Sequence, residues 1–267
     1  MSPPRSLRPS RVTQDPQRRL SFRQDDHELR LQFWDAGHTQ TVLLVHGIGM
    51  GATYYERLRS ALARAVNVIT VDLPGFGDAP EPPRSLSMSE LGDLLASAIA
   101  EHCSGPVVAV GHSMGTQVVA ELGARHPSLV THLVLIAPTV NADERTVSRQ
   151  IWRMLQDLWG ESPRVSLIGS WLYLRAGPRW FVKKFRTMLE HRIEDVLPSL
   201  RVPTLVIRGE VDRVCPRDWV SSCADLIPGS IMTEAPGRGH EAMVTSAEPV
   251  CSDILRLIRA RPESPAP

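Results

Sequence analysis

Short runs of aliphatic and β-branched residues alternate along this chain with stretches of helical spacing. That rhythm predicts a parallel sheet assembled from strand–helix–strand units. From His27 to Asp35 the pattern has period two. Leu29, Leu31 and Phe33 share one side, and Glu28, Arg30 and Gln32 the other. Thr41 to Val45 is instead continuously apolar, as a strand covered on both faces should be. Further strands are expected at Val66 to Val71, 107–110, Leu133 to Ile136, Thr204 to Ile207 and Ser230 to Thr233. Helices are expected at Tyr54 to Ala65, Ser89 to His102, Thr116 to Arg125 and Val250 to Arg259. The fold class is α/β, with a mostly parallel central sheet flanked by helices.

One segment breaks the rhythm. Residues 141–198 hold no convincing strand, yet carry Trp152, Trp159, Trp171 and Trp180, four of the six tryptophans. Ile151, Met154, Leu155 and Leu158 have helical spacing, and Pro163, Gly169, Gly177 and Pro178 cut the stretch into short helices. The segment reads as a helical insertion folded over the sheet. Its aromatic residues form the insertion's own core or line a substrate pocket beneath a lid, and spacing alone does not separate the two. The core is then expected to span 20–140 and 199–260. Residues 1–19, with Pro3, Pro4, Pro9, Pro16 and five arginines, read as a solvated tail, and 261–267, with three prolines, as a second frayed end.

Composition narrows the function classes. The chain has 267 residues, 42% hydrophobic and 22% charged, with a net charge of +1. These are globular values, and the balance gives no electrostatic reason to expect a nucleic acid or an anionic membrane as partner. No apolar run approaches the ~20 residues of a membrane span. The N-terminal stretch lacks the apolar core of a secretory signal, so a cytoplasmic protein with reduced thiols is expected. Cys103, Cys215, Cys223 and Cys251 form no C-x-x-C pair, and the histidines show no ligand spacing. Neither a metal centre nor a cofactor is expected. The partner is a small molecule, and the protein a monomer or homodimer.

The richest chemistry lies in Gly111-His112-Ser113-Met114-Gly115, between an apolar run and a helical one. A serine flanked by glycines two residues to either side, at a strand-to-helix turn, is the nucleophile-elbow pattern. The bland alternative is an ordinary turn with Ser113 as helix N-cap. A serine hydroxyl needs a base, and the base needs a carboxylate to fix its tautomer. Asp212, in Gly209–Pro216, and His240, in Pro236–His240, follow in the order serine, acid, histidine, each just past an expected strand. Both therefore emerge at carboxyl ends of parallel strands, as Ser113 does. Glu210 and Asp218 are substitute acids. A second glycine turn, His46-Gly47-Ile48-Gly49-Met50-Gly51, follows the strand 41–45. It would supply one backbone N–H of an oxyanion hole, from Ile48, and Met114 the other. Gly47, Gly49, His112 and Met243, with Trp152, Trp159 and Trp171, make up the expected substrate-binding set. His46 is expected to support loop structure.

The motifs HGIGMG at 46–51, DLPGFG at 72–77, GHSMG at 111–115, GEVDRVCP at 209–216 and GRGH at 237–240 together resemble the α/β-hydrolase superfamily from about residue 28 to 259. The resemblance implies that 141–198 is the helical cap over the active site. Serine at the nucleophile position, in place of aspartate, disfavours the epoxide hydrolases and haloalkane dehalogenases of the superfamily. The leading expectation is a serine hydrolase cleaving a carboxylic ester or thioester of a small, largely apolar substrate through an acyl-enzyme. HGIGMGA is also similar to the glycine-rich loop of the meta-cleavage-product hydrolases, which break a carbon–carbon bond. Those enzymes usually carry asparagine before the serine and an aromatic residue after the histidine, where this chain has His112 and Glu241. Cofactor-free perhydrolase or acyltransferase chemistry and a non-catalytic binder on the same scaffold are further alternatives. Finally, Gly47, Gly49 and Ala52 with Asp72 mimic a dinucleotide-binding fingerprint. That reading leaves Ser113, Asp212 and His240 unexplained.

Overall fold

A computed structural model describes residues 15–158, 178–245 and 247–260. An eight-stranded sheet forms its centre. β1 (Arg18–Gln24) and β2 (His27–Trp34) make an antiparallel hairpin, and β2 pairs antiparallel with β4 (Asn67–Asp72). The other strands, β3 (Thr41–Val45), β5 (Val107–His112), β6 (Val130–Ile136), β7 (Thr204–Gly209) and β8 (Ile231–Ala235), run parallel to β4. The spatial order is β1-β2-β4-β3-β5-β6-β7-β8. Every residue of β5 and β7 is buried, which explains their largely apolar runs.

Helices flank this sheet. α1 (Glu56–Leu62) packs on α9 (Glu248–Arg259), and α2 (Met88–His102) packs on α3 (Met114–Arg125). α2 starts at a capping box in which Ser87 and Glu90 bond each other's backbone N–H, a device worth about 1 kcal/mol. Between β6 and β7 the described residues contain only helices: α4 (Val147–Leu158), α5 (Pro178–Glu190), α6 (Ile193–Val196) and short 3-10 turns. α7 (Arg217–Leu226) and α8 (Ala242–Thr245) complete the set.

The expected tail, residues 1–19, runs two residues into the hairpin's first strand. Arg18 and Arg19 open β1, and Gln17 already donates to the Phe33 carbonyl. β1 reads as polar because five of its seven residues are exposed and only Phe22 is buried. Its ladder places Leu20 opposite Leu31 and Phe22 opposite Leu29, so the weak Leu20–Phe22 alternation was the available signal. Arginines suit this position, since β1 is an open edge that charge protects from pairing with another chain. Residues 1–14 and 261–267 lie outside the described residues. α3 begins two residues earlier than its spacing indicates, directly after Ser113. The parallel arrangement delivers the loops after β3, β5, β7 and β8 to one edge of the sheet, where ligands bind in such folds.

Candidate active site

Four loops build the site. At the turn after β5, Ser113 has φ 52° and ψ −121°, a strained backbone for a residue with a side chain. Three hydrogen bonds hold it there. Its N–H donates to Ile136 O at 3.0 Å, and its carbonyl accepts from the Thr116 N–H at 2.9 Å and hydroxyl at 2.6 Å. The flanking glycines are steric requirements. A Cβ on Gly111 would overlap the Gly115 carbonyl, and one on Gly115 would overlap the Val45 carbonyl. Ser113 does not cap α3 through its side chain, so the bland reading of the turn lacks its main contact.

The acid sits past β7. Asp212 is 2% exposed, and its Oδ1 accepts from the Val214 and Cys215 N–H groups, each at 2.8 Å. Oδ2 lies 3.0 Å from His240 Nδ1. The loop is fixed from beneath by Arg208, the one charge in the apolar run of β7. Its guanidinium donates to the carbonyls of Glu210, Asp212 and Cys215, at 2.8, 3.0 and 2.9 Å, and pairs with Glu234. Sequence reasoning missed Arg208, although a lone arginine ending a buried strand was the sign. The close approach of the acid and histidine loops also depends on Gly209, where a Cβ would overlap the Gly239 carbonyl.

His240 follows β8. With Nδ1–H committed to Asp212, the lone pair of neutral His240 is on Nε2, the tautomer a general base requires. His112 is neutral. Burial, reinforced by neighbouring His240, holds its pKa well below the ordinary histidine range. Its Nε2–H donates to the His240 carbonyl at 3.0 Å, and its ring stacks on Tyr54. His112 thus borders the pocket and also holds the backbone of His240.

The loop after β3 is braced by His46 and Asp72. Leu73 N–H donates to His46 Nε2 at 3.0 Å, which leaves the ring proton on Nδ1 to donate to Gly47 O at 2.7 Å. Burial favours this neutral form. Asp72 accepts from Ala52 N–H at one oxygen and Asp78 N–H at the other, within a cage where Gly51 and Gly77 leave no room for a Cβ. The carboxylate that would take a ribose in a dinucleotide site is therefore occupied by its own loops. Gly47 packs on Ser113, with a Cβ position 3.1 Å from the serine Cβ. Among the described residues, neither the Ile48 nor the Met114 N–H donates to a backbone carbonyl. Met114 is the first residue of α3, so its N–H has no partner within the helix.

One pocket brings together Ser113, His240, His112, Gly47 and Ile48, with Met50, Thr139, Val214 and Glu241. From the helices between β6 and β7 it gains Gln150, Phe185 and Met188. Several expected substrate contacts are elsewhere. Trp152 is 54% exposed, because it sits two residues, about 200° of helix rotation, from inward-facing Gln150 on α4. Met243 is buried in the core instead of lining the pocket, and Gly49, with φ 74°, serves the turn. Trp159 and Trp171 lie outside the described residues. Phe185 and Met188 were hidden among many similar apolar residues, since helical spacing does not say which face meets the pocket.

Comparison with known proteins agrees with this architecture. The family model described as "Alpha/beta hydrolase family" matches residues 42–252. A pimeloyl-[acyl-carrier protein] methyl ester esterase of Vibrio cholerae is 25% identical over 252 residues, covering 84% of this chain and 97% of that protein. The 2-hydroxy-6-oxo-6-(2'-aminophenyl)hexa-2,4-dienoic acid hydrolase of Metapseudomonas resinovorans is 26% identical over 260 residues, covering 86% and 88%. A solved thermophilic esterase from Thermogutta terrifontis superposes with a TM-score of 0.76 at 24% identity, covering 91% of this chain and 98% of that one. Among the described residues no helix is long and apolar enough to cross a membrane.

Proposed function

This chain belongs to the alpha/beta hydrolase family, and on that premise we propose that it is a serine hydrolase of carboxylic ester or thioester bonds. The observation that carries the reading is that Ser113 and His240 line one pocket, with buried Asp212 behind the histidine, its Oδ2 3.0 Å from His240 Nδ1. His240 Nε2 takes the Ser113 proton as Oγ attacks the acyl carbon. The Ile48 and Met114 N–H groups receive the oxyanion. His240 then protonates the departing alcohol or thiol, and deprotonates a water that releases the acid from Ser113. Asp212 keeps the imidazole in its tautomer and stabilises its cationic form. Ile48, Met50, Val214, Phe185 and Met188 around the serine favour a small, largely apolar acyl or alcohol group.

The test is intact mass after incubation with a fluorophosphonate, on wild type and Ser113→Ala. One adduct on wild type, absent from the variant, is expected. An adduct that persists in Ser113→Ala, or none on folded wild type even with smaller acylating probes, would overturn the reading.

Carbon–carbon bond hydrolysis is the second reading, favoured by the similarity to the Metapseudomonas enzyme. Turnover of a vinylogous 1,5-diketone with no activity on simple esters would promote it over the first. Perhydrolase or acyltransferase chemistry would use the same acyl-enzyme with another acceptor in place of water.

A further inference from the structure

The acid–histidine pair has a third neighbour that hydrolysis does not use. The Cys215 sulfur lies 3.8 Å from His240 Nδ1, and one ligand atom from each of Asp212, Cys215 and His240 falls within 4.8 Å of the others. We propose that these three side chains form a binding site for a zinc-class divalent cation, and that the bound ion switches the enzyme off. The second half rests on the serine-hydrolase reading; the first does not.

The donor set suits a borderline-soft metal. Thiolate, imidazole and carboxylate are the usual zinc ligands, with bonds of about 2.0–2.3 Å, so tetrahedral donors sit roughly 3.3–3.7 Å apart. The Nδ1–Sγ distance of 3.8 Å needs a small contraction, and the Nδ1–Oδ2 distance of 3.0 Å a small opening. Charge also balances. A thiolate and a carboxylate neutralise the dication, so binding takes the buried site from one negative charge to none. The ligands are held in place beforehand. Cys215 donates its backbone N–H to Asp212 Oδ1, and its carbonyl is fixed by Arg208 Nε. Three protein ligands leave a fourth position for water. Of the three ligands, His240 borders the pocket.

Proton bookkeeping explains the inhibition. Binding releases the Cys215 thiol proton to solvent and breaks its 3.3 Å bond to Pro138 O. The metal takes Nδ1 of His240, so the ring proton moves to Nε2. An imidazole with Nε2–H has no lone pair facing Ser113 and does not act as its base.

The experiment uses Co2+ and Zn2+ with the full chain. A Co2+ titration of wild type should give one equivalent with a near-ultraviolet thiolate-to-metal charge-transfer band. The band should vanish in Cys215→Ala and in Cys215→Ser, the serine variant keeping the buried volume should the alanine one fail to fold. Zn2+ should inhibit ester hydrolysis by wild type, reversibly with chelator. Loss of even an outer-shell partner costs about 10–100-fold in metal affinity, so half-inhibition in the Cys215 variants should need at least about tenfold more Zn2+. Each variant is referred to its own metal-free rate. A wild type without the band, a band that survives in both variants through Cys103, Cys223 or Cys251, or equal Zn2+ sensitivity of all three proteins would overturn the proposal. An ester rate unchanged by Ser113→Ala would instead sink the hydrolase reading while leaving the cobalt result to decide the site.

Discussion

The rim of the sheet and the face on which α5 docks border the same pocket but are held by different bonds. At the rim, backbone meets backbone or a buried carboxylate. Ser113 N–H bonds Ile136 O, Ala52 and Asp78 N–H bond Asp72, and Val214 and Cys215 N–H bond Asp212. On the docking face, side chains reach across. Lys184 Nζ donates to Leu86 O at 2.6 Å, Gln117 to Met188 O at 3.0 Å, and His191 pairs with Glu121 at 2.8 Å. Trp180 lies against Gly75, where no Cβ fits, and against Phe76. Backbone-built loops hold the residues that carry the reacting atoms through main-chain bonds. A side-chain-built face can be altered one residue at a time without moving them. On this argument the chemistry is set by the rim, and substrate choice by the docked helices.

The sharpest break between the two regions is Asp212→Asn. The amide oxygen still accepts from Val214 and Cys215 N–H, so the loop should hold. The amide nitrogen, however, faces His240 Nδ1 as a donor and forces the ring into the wrong tautomer. A kcat loss of about 10³–10⁴-fold is expected, roughly 4–5.5 kcal/mol of barrier, with the melting temperature little changed. A kcat within tenfold of wild type would show that the rim does not carry the chemistry.

Trp180→Ala tests the other region. Its ring is 2% exposed, and removing a buried tryptophan costs about 3–5 kcal/mol. Hydrogen exchange should lose protection along α5 while β5 and α3 keep theirs. Uniform loss across all three would mean that the docked helix and the sheet unfold as one unit.

Lys184 gives the docking face a pH dependence. Burial pulls its amino group down to about 7 from the usual 10.5, against the weaker pull of Glu90. The folded form thus releases a proton that the unfolded chain retains up to pH near 10.5. Between those values the unfolded state binds more protons, so stability rises with pH, and below about 7 the penalty is fully present. Raising the pH from 7 to 9 should stabilise the protein by on the order of a few kcal/mol. Lys184→Met should flatten that rise in thermal melts; an identical slope in the variant would remove lysine burial as its cause.

The two regions also differ in how far the sequence disclosed them. Ser113, Asp212, His240 and the glycine turns were legible because tight backbone geometry restricts residue type: Gly111 and Gly115 admit no side chain, and the elbow serine must lie between them. The parallel strands were legible for a related reason, since burial on both faces leaves only apolar residues. β1 was missed because its partner β2, not its own polarity, makes it a strand. Gln150 and Met188 were missed, and Phe185 was not singled out among the insertion's aromatic residues, because many residues satisfy a helix face and only the docked structure says which face meets the serine. Arg208 lies between these cases. Its charge was conspicuous, but its three carbonyl partners come from a loop whose shape the strand pattern does not give.

Trp152 makes the smallest prediction and the most discriminating one for the docking face. Aromatic character alone nominates it for the pocket, whereas its place on α4 turns it 54% to solvent, opposite Gln150. An exposed side chain of this kind contributes within about 0.5 kcal/mol to stability. Trp152→Ala should therefore leave the melting temperature, kcat and KM near wild type for any substrate. Gln150→Ala, on the inward face, should raise KM with little change in kcat, because Gln150 touches the pocket but none of the reacting atoms. A tenfold loss of kcat/KM in Trp152→Ala, with Gln150→Ala silent, would mean that α4 turns its other face to the substrate during turnover. The docking face would then be the moving part of the enzyme and the rim its fixed one.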